Sequence, residues 1–208
     1  MIKDVLKKLH WLGHDAFRID GEIIIYFDPF ELKDGPKADV ILVSHDHFDH
    51  YSPDDIAKIR KQDTVILTND STKEKIGAGV IALKAGDTWK SKGIEVRVVP
   101  AYNPNKEFHP KQAGGLGFIV TMEGVNIYHT GDSDFIPEMD QVKTDIALIP
   151  VSGTYVMDAN EAVKAALAIK PQIAIPMHYG SFIGTPEDAQ NFKKALEGKV
   201  DTVILPRE

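Results

Sequence analysis

The chain has 208 residues, a formal net charge of −7 and no cysteine. The acidic balance disfavours nucleic acid as a partner, and the lack of cysteine excludes disulfides and thiolate metal ligands. No stretch reaches the roughly 18 apolar residues of a membrane span, and the N-terminal residues lack the apolar core of a signal peptide. We therefore expect a cytoplasmic protein with one domain over residues 1–208, a small-molecule substrate and no membrane partner, and homo-oligomerisation stays open.

The first predicted elements are two strands. The stretch over 9–19 and an apolar run over 23–27 read as two strands joined at Asp20-Gly21, a strong signal for a hairpin turn. Asp28 and a proline directly follow the second run and end it. The chain is thus expected to start with a hairpin whose second strand finishes in a carboxylate.

The next strand, predicted over 40–43, leads into a stretch with three histidines and two aspartates. If the backbone stays extended, His45 and His47 point to the same side, because side chains alternate along a strand. A turn would then bring Asp49 and His50 round from the other side. The four side chains would then form two pairs of ligands about one point, which suits two metal ions better than one. Imidazole and carboxylate are common metal ligands.

The remaining chain alternates between helices and strands, which predicts an α/β fold. Helices are predicted over 52–61, 71–77, 158–169 and 185–198, and strands over 64–68, 94–99, 114–120, 126–129, 145–151, 172–178 and 202–205. A residue that can cap the free N–H groups opens each helix, and the second is expected to start with a capping box at 71–74. The helix over 158–169 shows one apolar face, which indicates a role in the core.

The pattern His-x-His-x-Asp-His at 45–50 resembles the metal-binding motif of the metallo-β-lactamase superfamily. Gly-His-x-x-Phe around His14, Phe-His-Pro at 108–110 and Thr-Gly-Asp at 130–132 extend the resemblance over nearly the whole chain. These stretches are similar to the L-ascorbate-6-phosphate lactonase-like subgroup of metal-dependent hydrolases. The resemblance implies an αββα four-layer sandwich, whereas spacing alone indicates only an α/β fold.

The resemblance also implies a dinuclear centre whose seven ligands all follow predicted strands. The implied ligands are His45, His47 and His109 on one ion, Asp49, His50 and His178 on the other, and Asp132 between the two. A carboxylate shared by two dications offsets their repulsion and fixes their separation. Zinc or manganese is expected, with iron and nickel as alternatives, because imidazole and carboxylate ligands accept all four metals.

Other residues are expected to support the ligands. Asp28 occupies the strand end where the superfamily has a supporting aspartate, and His14 is expected to hold a ligand in place. His129 is expected either to support the ligands or to face the substrate. If the loop after this strand is offset, Asp134 rather than Asp132 faces the metals.

The expected reaction is hydrolysis of a small, anionic ester or lactone by a hydroxide held between the two ions. Asp49 is the candidate catalytic residue, because a carboxylate beside the hydroxide can orient it or carry its proton. The polar loops supply the candidate substrate contacts, which are Tyr102, Asn103, Lys106, Lys111 and Tyr155.

Two other functions are open at this stage. Nucleases of the superfamily cleave phosphodiesters with the same motif, but they carry an extra RNA-gripping domain for which 208 residues leave little room. A metal-binding regulatory module without turnover is the other alternative. The complete set of ligands argues against it, because a decayed site is expected to lack at least one.

Overall fold

Apolar strands dominate the chain, and the computed structural model, which describes residues 1–208, arranges thirteen of them in two sheets. The first sheet contains β1 (Leu9–Gly13), β2 (Ala16–Asp20), β3 (Ile24–Phe27), β4 (Val40–Leu42), β5 (Val65–Thr68) and β6 (Val80–Ala82). The second contains β7 (Thr88–Ser91), β8 (Ile94–Pro100), β9 (Leu116–Met122), β10 (Val125–His129), β11 (Ile146–Pro150), β12 (Ile173–Met177) and β13 (Asp201–Thr202).

The two sheets repeat one topological scheme. In each sheet the strands follow one another in chain order, first as antiparallel neighbours and then as parallel ones. The change to parallel pairing comes at β3–β4 in the first sheet and at β10–β11 in the second. Parallel strands have their carboxyl ends at one edge, so the residues after β3, β4, β10 and β12 can gather there.

Five α-helices accompany the sheets: α1 (Ile2–Leu6), α2 (Pro53–Ile59), α3 (Asp70–Ile76), α4 (Ala159–Ile169) and α5 (Pro186–Leu196). None of them has the length and apolar composition needed to cross a bilayer. Ser52, Asp158 and Thr185 open α2, α4 and α5, as predicted. The side chains of Ser52 and Asp158 accept hydrogen bonds from backbone N–H groups of the first turn, whereas the hydroxyl and the backbone N–H of Thr185 donate to Oδ2 of Asp188.

Two apolar cores define the layers. A core of 43 buried residues fills the space between the sheets and includes the inward faces of α4 and α5. A smaller core of 11 residues lies on the opposite side of the first sheet, where α2 contributes Ile56 and Ile59. The order is thus helix, sheet, sheet, helices, which confirms the predicted αββα sandwich.

The prediction of one strand over 9–19 was wrong. The run is two antiparallel strands, β1 and β2, joined by a tight turn at His14 and Asp15. Gly13 precedes the turn with φ +116°, and a Cβ there would lie 2.6 Å from Arg207 Nε. Glycine suits such a backbone conformation best, so Gly13 is a sequence signal for this turn.

The predicted start of the second helix was also wrong. The side chain of Asn69, not that of Ser71, caps α3, and its Oδ1 accepts from the backbone N–H of Thr72 at 3.0 Å. The helix ends at Gly77, as predicted. Three short elements, α1, β6 and β7, were not predicted from the sequence.

The position of this cap gives a first prediction. We expect Asn69→Ala to lower the free energy of unfolding by about 1 kcal/mol, because an N–H of the first turn loses its acceptor. Ser71→Ala should change it by less than about 0.5 kcal/mol. Denaturant unfolding followed by circular dichroism measures both variants. Equal losses in the two would contradict the assignment of the cap. Asn69→Asp keeps the accepting oxygen but loses the bond from Nδ2 to Gly114 O at 3.0 Å, so it separates the cap from this second bond.

Candidate metal centre

The predicted site residues meet at one edge of the sandwich because each follows the end of a strand. Asp28 follows β3, the stretch at 44–50 follows β4, and Asp132 and His178 follow β10 and β12. His109 arrives from the long connection between β8 and β9. The structure therefore brings together all seven residues that were predicted as metal ligands, within overlapping clusters whose ligand atoms lie within 4.8 Å of one another.

The carboxylate of Asp28 organises the start of the metal-binding stretch. Its Oδ1 accepts from the backbone N–H of Ser44 at 2.7 Å, and its Oδ2 accepts from Ser44 Oγ at 2.7 Å. The same Oδ2 lies 2.7 Å from Nδ1 of His50. Because Asp28 can only accept when ionised, Nδ1 of His50 carries the proton and Nε2 presents its lone pair to the site.

Three histidines form the first cluster. Nε2 of His45 and Nε2 of His109 each lie 3.0 Å from Nδ1 of His47. Nδ1 of His45 lies 2.9 Å from Ser44 Oγ, which assigns the proton to Nδ1 and leaves Nε2 with its lone pair. Such nitrogens suit one shared cation, because two ligands of a tetrahedral zinc ion lie about 3.3 Å apart.

Hydrogen bonds to Tyr155 and Asn103 hold the loop that carries His109. Nδ1 of His109 donates to the carbonyl oxygen of Tyr155 at 3.3 Å, which turns Nε2 toward His47. Asn103 is buried and donates to the same carbonyl at 2.5 Å, and its backbone N–H donates to His109 O at 2.9 Å. Asn103 therefore holds this loop in place and does not line the cavities beside the site.

Asp132 lies between the two groups of histidines. Its Oδ1 is 3.3 Å from Nε2 of His50, and its Oδ2 is 3.3 Å from Nε2 of His109 and 3.4 Å from Nε2 of His178. The preceding Gly131 has φ +60°, and a Cβ there would lie 2.5 Å from Leu116 O. The close approach of the two backbones, which sets the position of Asp132, thus requires glycine.

The unpredicted hairpin turn adds two side chains to the site. Nε2 of His14 donates to Oδ2 of Asp49 at 3.0 Å, so His14 holds the candidate catalytic carboxylate. Asp15 is fully buried, and its Oδ2 lies 3.8 Å from Nε2 of His50. Asp15 was missed from the sequence because the stretch over 9–19 was interpreted as a continuous strand. The Gly13-His14-Asp15 sequence was the available signal.

His129 lies behind the site. It is buried, its ring stacks on Phe27, and its Nε2 donates to the backbone carbonyl of Asp15 at 2.9 Å. Nδ1 accepts from the N–H of Gly131 at 3.2 Å. His129 therefore ties the hairpin turn to the loop that carries Asp132, and its ring is not accessible to a substrate.

Comparisons with known proteins agree with this geometry. Residues 8–178 match the model of a beta-lactamase superfamily domain. A protein of Archaeoglobus fulgidus named UPF0173 metal-dependent hydrolase is 35% identical, over 95% of both chains. Its Thermoplasma acidophilum counterpart is 37% identical, over 96% of this chain and 95% of its own length. The chain belongs to the metallo-β-lactamase superfamily.

A solved structure places the chain more closely within the superfamily. The crystal structure of a Parabacteroides distasonis protein, assigned to the metal-dependent hydrolases, superposes with a TM-score of 0.87 at 35% identity. The superposition covers 95% of this chain and 91% of that one. The chain is therefore a metal-dependent hydrolase of the metallo-β-lactamase superfamily.

Buried polar atoms without partners test whether the residues of this hydrolase fit metal ions. Seven buried side-chain atoms make no hydrogen bond, and six of them belong to this site. The six are Nδ1 of His14, both carboxylate oxygens of Asp15, Nε2 of His50, Oδ1 of Asp132 and Nε2 of His178. Three of the six atoms, on His50, Asp132 and His178, belong to predicted ligands. Leaving such an atom unpaired costs about 1–3 kcal/mol, so these ligands fit bound cations, which would supply the missing partners.

The pKa values of the site residues show how strongly these side chains interact. Burial raises the pKa of Asp132, but His50 and His178 outweigh it and hold this pKa well below its ordinary value. Burial and the neighbouring His50 lower the pKa of His45 well below its ordinary value. Burial lowers the pKa of His50, but Asp132, Asp28 and Asp49 outweigh it and raise this pKa well above its ordinary value. Metal binding at His50 would therefore displace a proton, because imidazole binds metals in its neutral form.

Backbone strain also concentrates at this site. Eight residues other than glycine have a positive φ, and four of them surround the candidate metal centre. These four are His14 at 51°, Asp28 at 39°, His109 at 53° and His178 at 58°. Such conformations cost on the order of 1–3 kcal/mol each and persist where the surrounding structure fixes them for function.

The predicted substrate contacts divide into two groups. Tyr155 lines the larger cavity beside the site. The other contacts face their own partners: Lys106 pairs with Asp134, and both Lys111 and the hydroxyl of Tyr102 bind Glu138. Asp134, the alternative to Asp132, is therefore bound to a lysine and lies outside the ligand clusters.

The position of Asp28 yields a prediction about metal affinity. We expect Asp28→Asn to weaken metal binding by about 10- to 100-fold, because the amide no longer orders Ser44 and His50 as the carboxylate does. Competition with a fluorescent chelator measures this affinity. Asp140→Asn replaces an exposed aspartate far from the site and should leave it unchanged. An affinity that is equal in wild type and Asp28→Asn would contradict the supporting role.

Proposed function

We propose that the chain hydrolyses a small ester or lactone at a dinuclear centre. The observation that carries the proposal is the position of Asp132, whose carboxylate lies 3.3 Å from Nε2 of His109 in one group of histidines and 3.3 and 3.4 Å from Nε2 of His50 and His178 in the other. The proposed ligands are those expected from the sequence: His45, His47 and His109 for one ion, Asp49, His50 and His178 for the other, and Asp132 for both. Zinc or manganese is the proposed metal, with iron or nickel as alternatives.

Bound divalent ions would supply two kinds of chemistry, an ionised water at neutral pH and positive charge beside the oxygen that becomes negative in the transition state. The side chains of this protein provide the rest. Asp28 and Ser44 fix the rings of His45 and His50 so that each presents one nitrogen to the centre. A preorganised set of ligands costs little reorganisation when the reaction takes place.

Asp49 is the proposed proton carrier. Burial raises the pKa of its carboxyl, but His50 and His14 outweigh this effect, so the pKa lies below its ordinary value. The ionised carboxylate can accept a proton from the attacking water and pass it to the leaving oxygen. His14 binds only Oδ2 of this carboxylate, which leaves Oδ1 for the proton.

The size of the site supports a small substrate. One cavity of about 70 Å³ lies beside His45, His47 and His109, and another of about 260 Å³ adjoins His47, Asp49 and Asp132. Both are smaller than the roughly 300–1,000 Å³ of typical drug-sized ligand sites. An ester or lactone group of a small molecule fits this space, whereas an RNA strand requires an extended basic surface that a chain of net charge −7 does not favour.

Metal stoichiometry tests the dinuclear proposal. We expect elemental analysis to give two metal ions per chain in wild type and about one in His47→Ala, which lacks a ligand of a single ion. Asp132→Ala should lower both occupancies, because its carboxylate is shared. His10→Ala replaces a histidine on the opposite end of β1 and serves as the matched control. One ion per chain in fully loaded wild type would contradict the proposal.

Activity is tested with the same set of variants. Wild type loaded with zinc, manganese, iron or nickel should hydrolyse methyl esters and lactones, and His47→Ala should lose at least about 100-fold in kcat/KM, which corresponds to about 2.7 kcal/mol. Structured RNA and bis(p-nitrophenyl) phosphate are included as alternative substrates. Faster cleavage of these phosphodiesters would favour the nuclease alternative, and no turnover with any metal would favour a regulatory module.

A further inference from the structure

Large exposed apolar side chains converge on the candidate metal centre. The chain exposes six such residues, and three of them line the 260 Å³ cavity: Phe48 at 66% exposure, Phe182 at 51% and Phe108 at 47%. Isolated apolar residues are normal on a surface, but several at the mouth of one cavity mark a binding site. The other three, Met1, Ile81 and Leu167, do not line this cavity.

The aromatic residues form two walls. Phe48 and Phe182 pack with ring centroids 5.4 Å apart, and Phe30 supports both from behind at 5.8 and 6.5 Å. Across the cavity, Phe108 packs on Tyr155 at 4.6 Å in an edge-to-face arrangement. We call these five residues the aromatic rim. An occupant of the cavity would lie between the two walls and reach His109 and Asp132 at its floor.

The cavity has no cation of its own for an anionic substituent. Its lining contains neither lysine nor arginine. The nearby lysines are engaged elsewhere, since Lys106 pairs with Asp134, Lys111 with Glu138 and Lys75 with Asp46. A phosphate or carboxylate held in the aromatic rim would lose water without gaining an ion pair there, which is costly.

The volume fits one ring and one reacting group. An engineered apolar cavity of about 150 Å³ is known to hold benzene. The cavity here measures about 260 Å³, so it has room for one aromatic ring together with an ester or lactone group beside the metal ligands. The concave shape with a polar floor also fits a small molecule better than a flat protein surface.

We infer that the aromatic rim selects esters and lactones that carry an uncharged aromatic ring next to the scissile bond. This inference rests on the proposed hydrolase function and names its substrate class. In the reaction, the oxygen of water forms a bond to the acyl carbon and the bond from that carbon to the leaving oxygen breaks. One proton of the water goes to the leaving oxygen, and the products are an acid and an alcohol or phenol.

The kinetic test compares substrates that differ in the ring. The probes are benzyl acetate, methyl phenylacetate and dihydrocoumarin, with methyl acetate and a hexose-phosphate δ-lactone for comparison. Wild type should prefer the first three over methyl acetate by at least about tenfold in kcat/KM. Phe48→Ala and Phe182→Ala should each lower the ratio of benzyl acetate to methyl acetate by about 3- to 10-fold, mainly through KM.

Leu167→Ala is the matched control, because Leu167 is an exposed apolar residue on α4 outside the cavity. Its ratio should equal that of wild type. Metal content is measured for every variant, so that a lost ligand is distinguished from a lost ring contact. Preference for the hexose-phosphate lactone, or an unchanged ratio in both phenylalanine variants, would overturn the inference and leave the hydrolase proposal standing.

A binding test separates the inference from turnover. Benzylacetone is the ketone isostere of benzyl acetate and cannot be hydrolysed. Saturation-transfer NMR should show contact of its phenyl protons with wild type, and the signal should fall in the Phe48→Ala, Phe182→Ala double variant. Butanone, which lacks the ring, should give no comparable signal. Benzylacetone binding without ester turnover would overturn the hydrolase proposal alone.

Two results would overturn the inference here. One is the absence of benzylacetone binding to metal-loaded wild type. The other is a wild-type protein that sediments as an oligomer and does not bind benzylacetone, while the Phe48→Ala, Phe182→Ala double variant sediments as a monomer. In that case the aromatic rim is covered by a second copy of the chain and serves association instead of substrate selection.

Discussion

The structure depends on the burial of several carboxylates and imidazoles at one point between the two sheets. Asp15, Asp28 and Asp132 are almost fully shielded from solvent, as are His50 and His178. Such groups are stable inside a protein only when they are paired or bind metal ions. Asp28 finds partners in Ser44 and His50, whereas Asp15 and one oxygen of Asp132 have none within the chain. Burial and the neighbouring Asp132 raise the pKa of Asp15 well above its ordinary value, whereas the pKa of Asp132 is held well below its own. Divalent cations at Asp132 would offset the burial of its charge.

The fold supplies the rigidity that such a centre requires. Asp132 and His178 sit just past the ends of β10 and β12, so the sheet fixes their backbone while the side chains face the cleft. His109 lies in the long connection between β8 and β9 and is held instead by its bonds to Asn103 and Tyr155. The large core between the sheets and the smaller core under α2 hold the two halves of the centre from opposite sides. His129 connects these halves through the carbonyl of Asp15 and the N–H of Gly131. The positive φ angles at His14 and His178 are tolerated because the surrounding packing leaves no alternative.

Hydrophobic periodicity and helix caps predicted most of the strands and helices. The site residues could be predicted because most of them follow apolar strands. The failures have a physical reason. The stretch over 9–19 indicated one strand, because Asp20-Gly21 is a stronger hairpin signal than the turn at His14 and Asp15, whose side chains are buried. For this reason Asp15 was not predicted as a residue of the site. Ion pairs between residues distant in the sequence could not be predicted either. Nothing in the sequence indicates that Lys106 binds Asp134, almost thirty residues away. Lysines in a polar loop therefore indicated an anionic substrate, whereas the structure turns them toward acidic partners.

The positions of the aromatic rim along the chain couple substrate selection to metal binding. Phe48 lies between His47 and Asp49, and Phe108 directly precedes His109. A shift of either backbone would displace a proposed ligand, so the space between the walls can change only through side-chain substitution. Phe182 differs, because it lies four residues after His178 and is not next to a proposed ligand in the chain. Its ring packs on His14 with centroids 5.0 Å apart, and His14 holds Asp49, so a substitution at Phe182 acts on the centre through a packing contact and not through the backbone of a ligand.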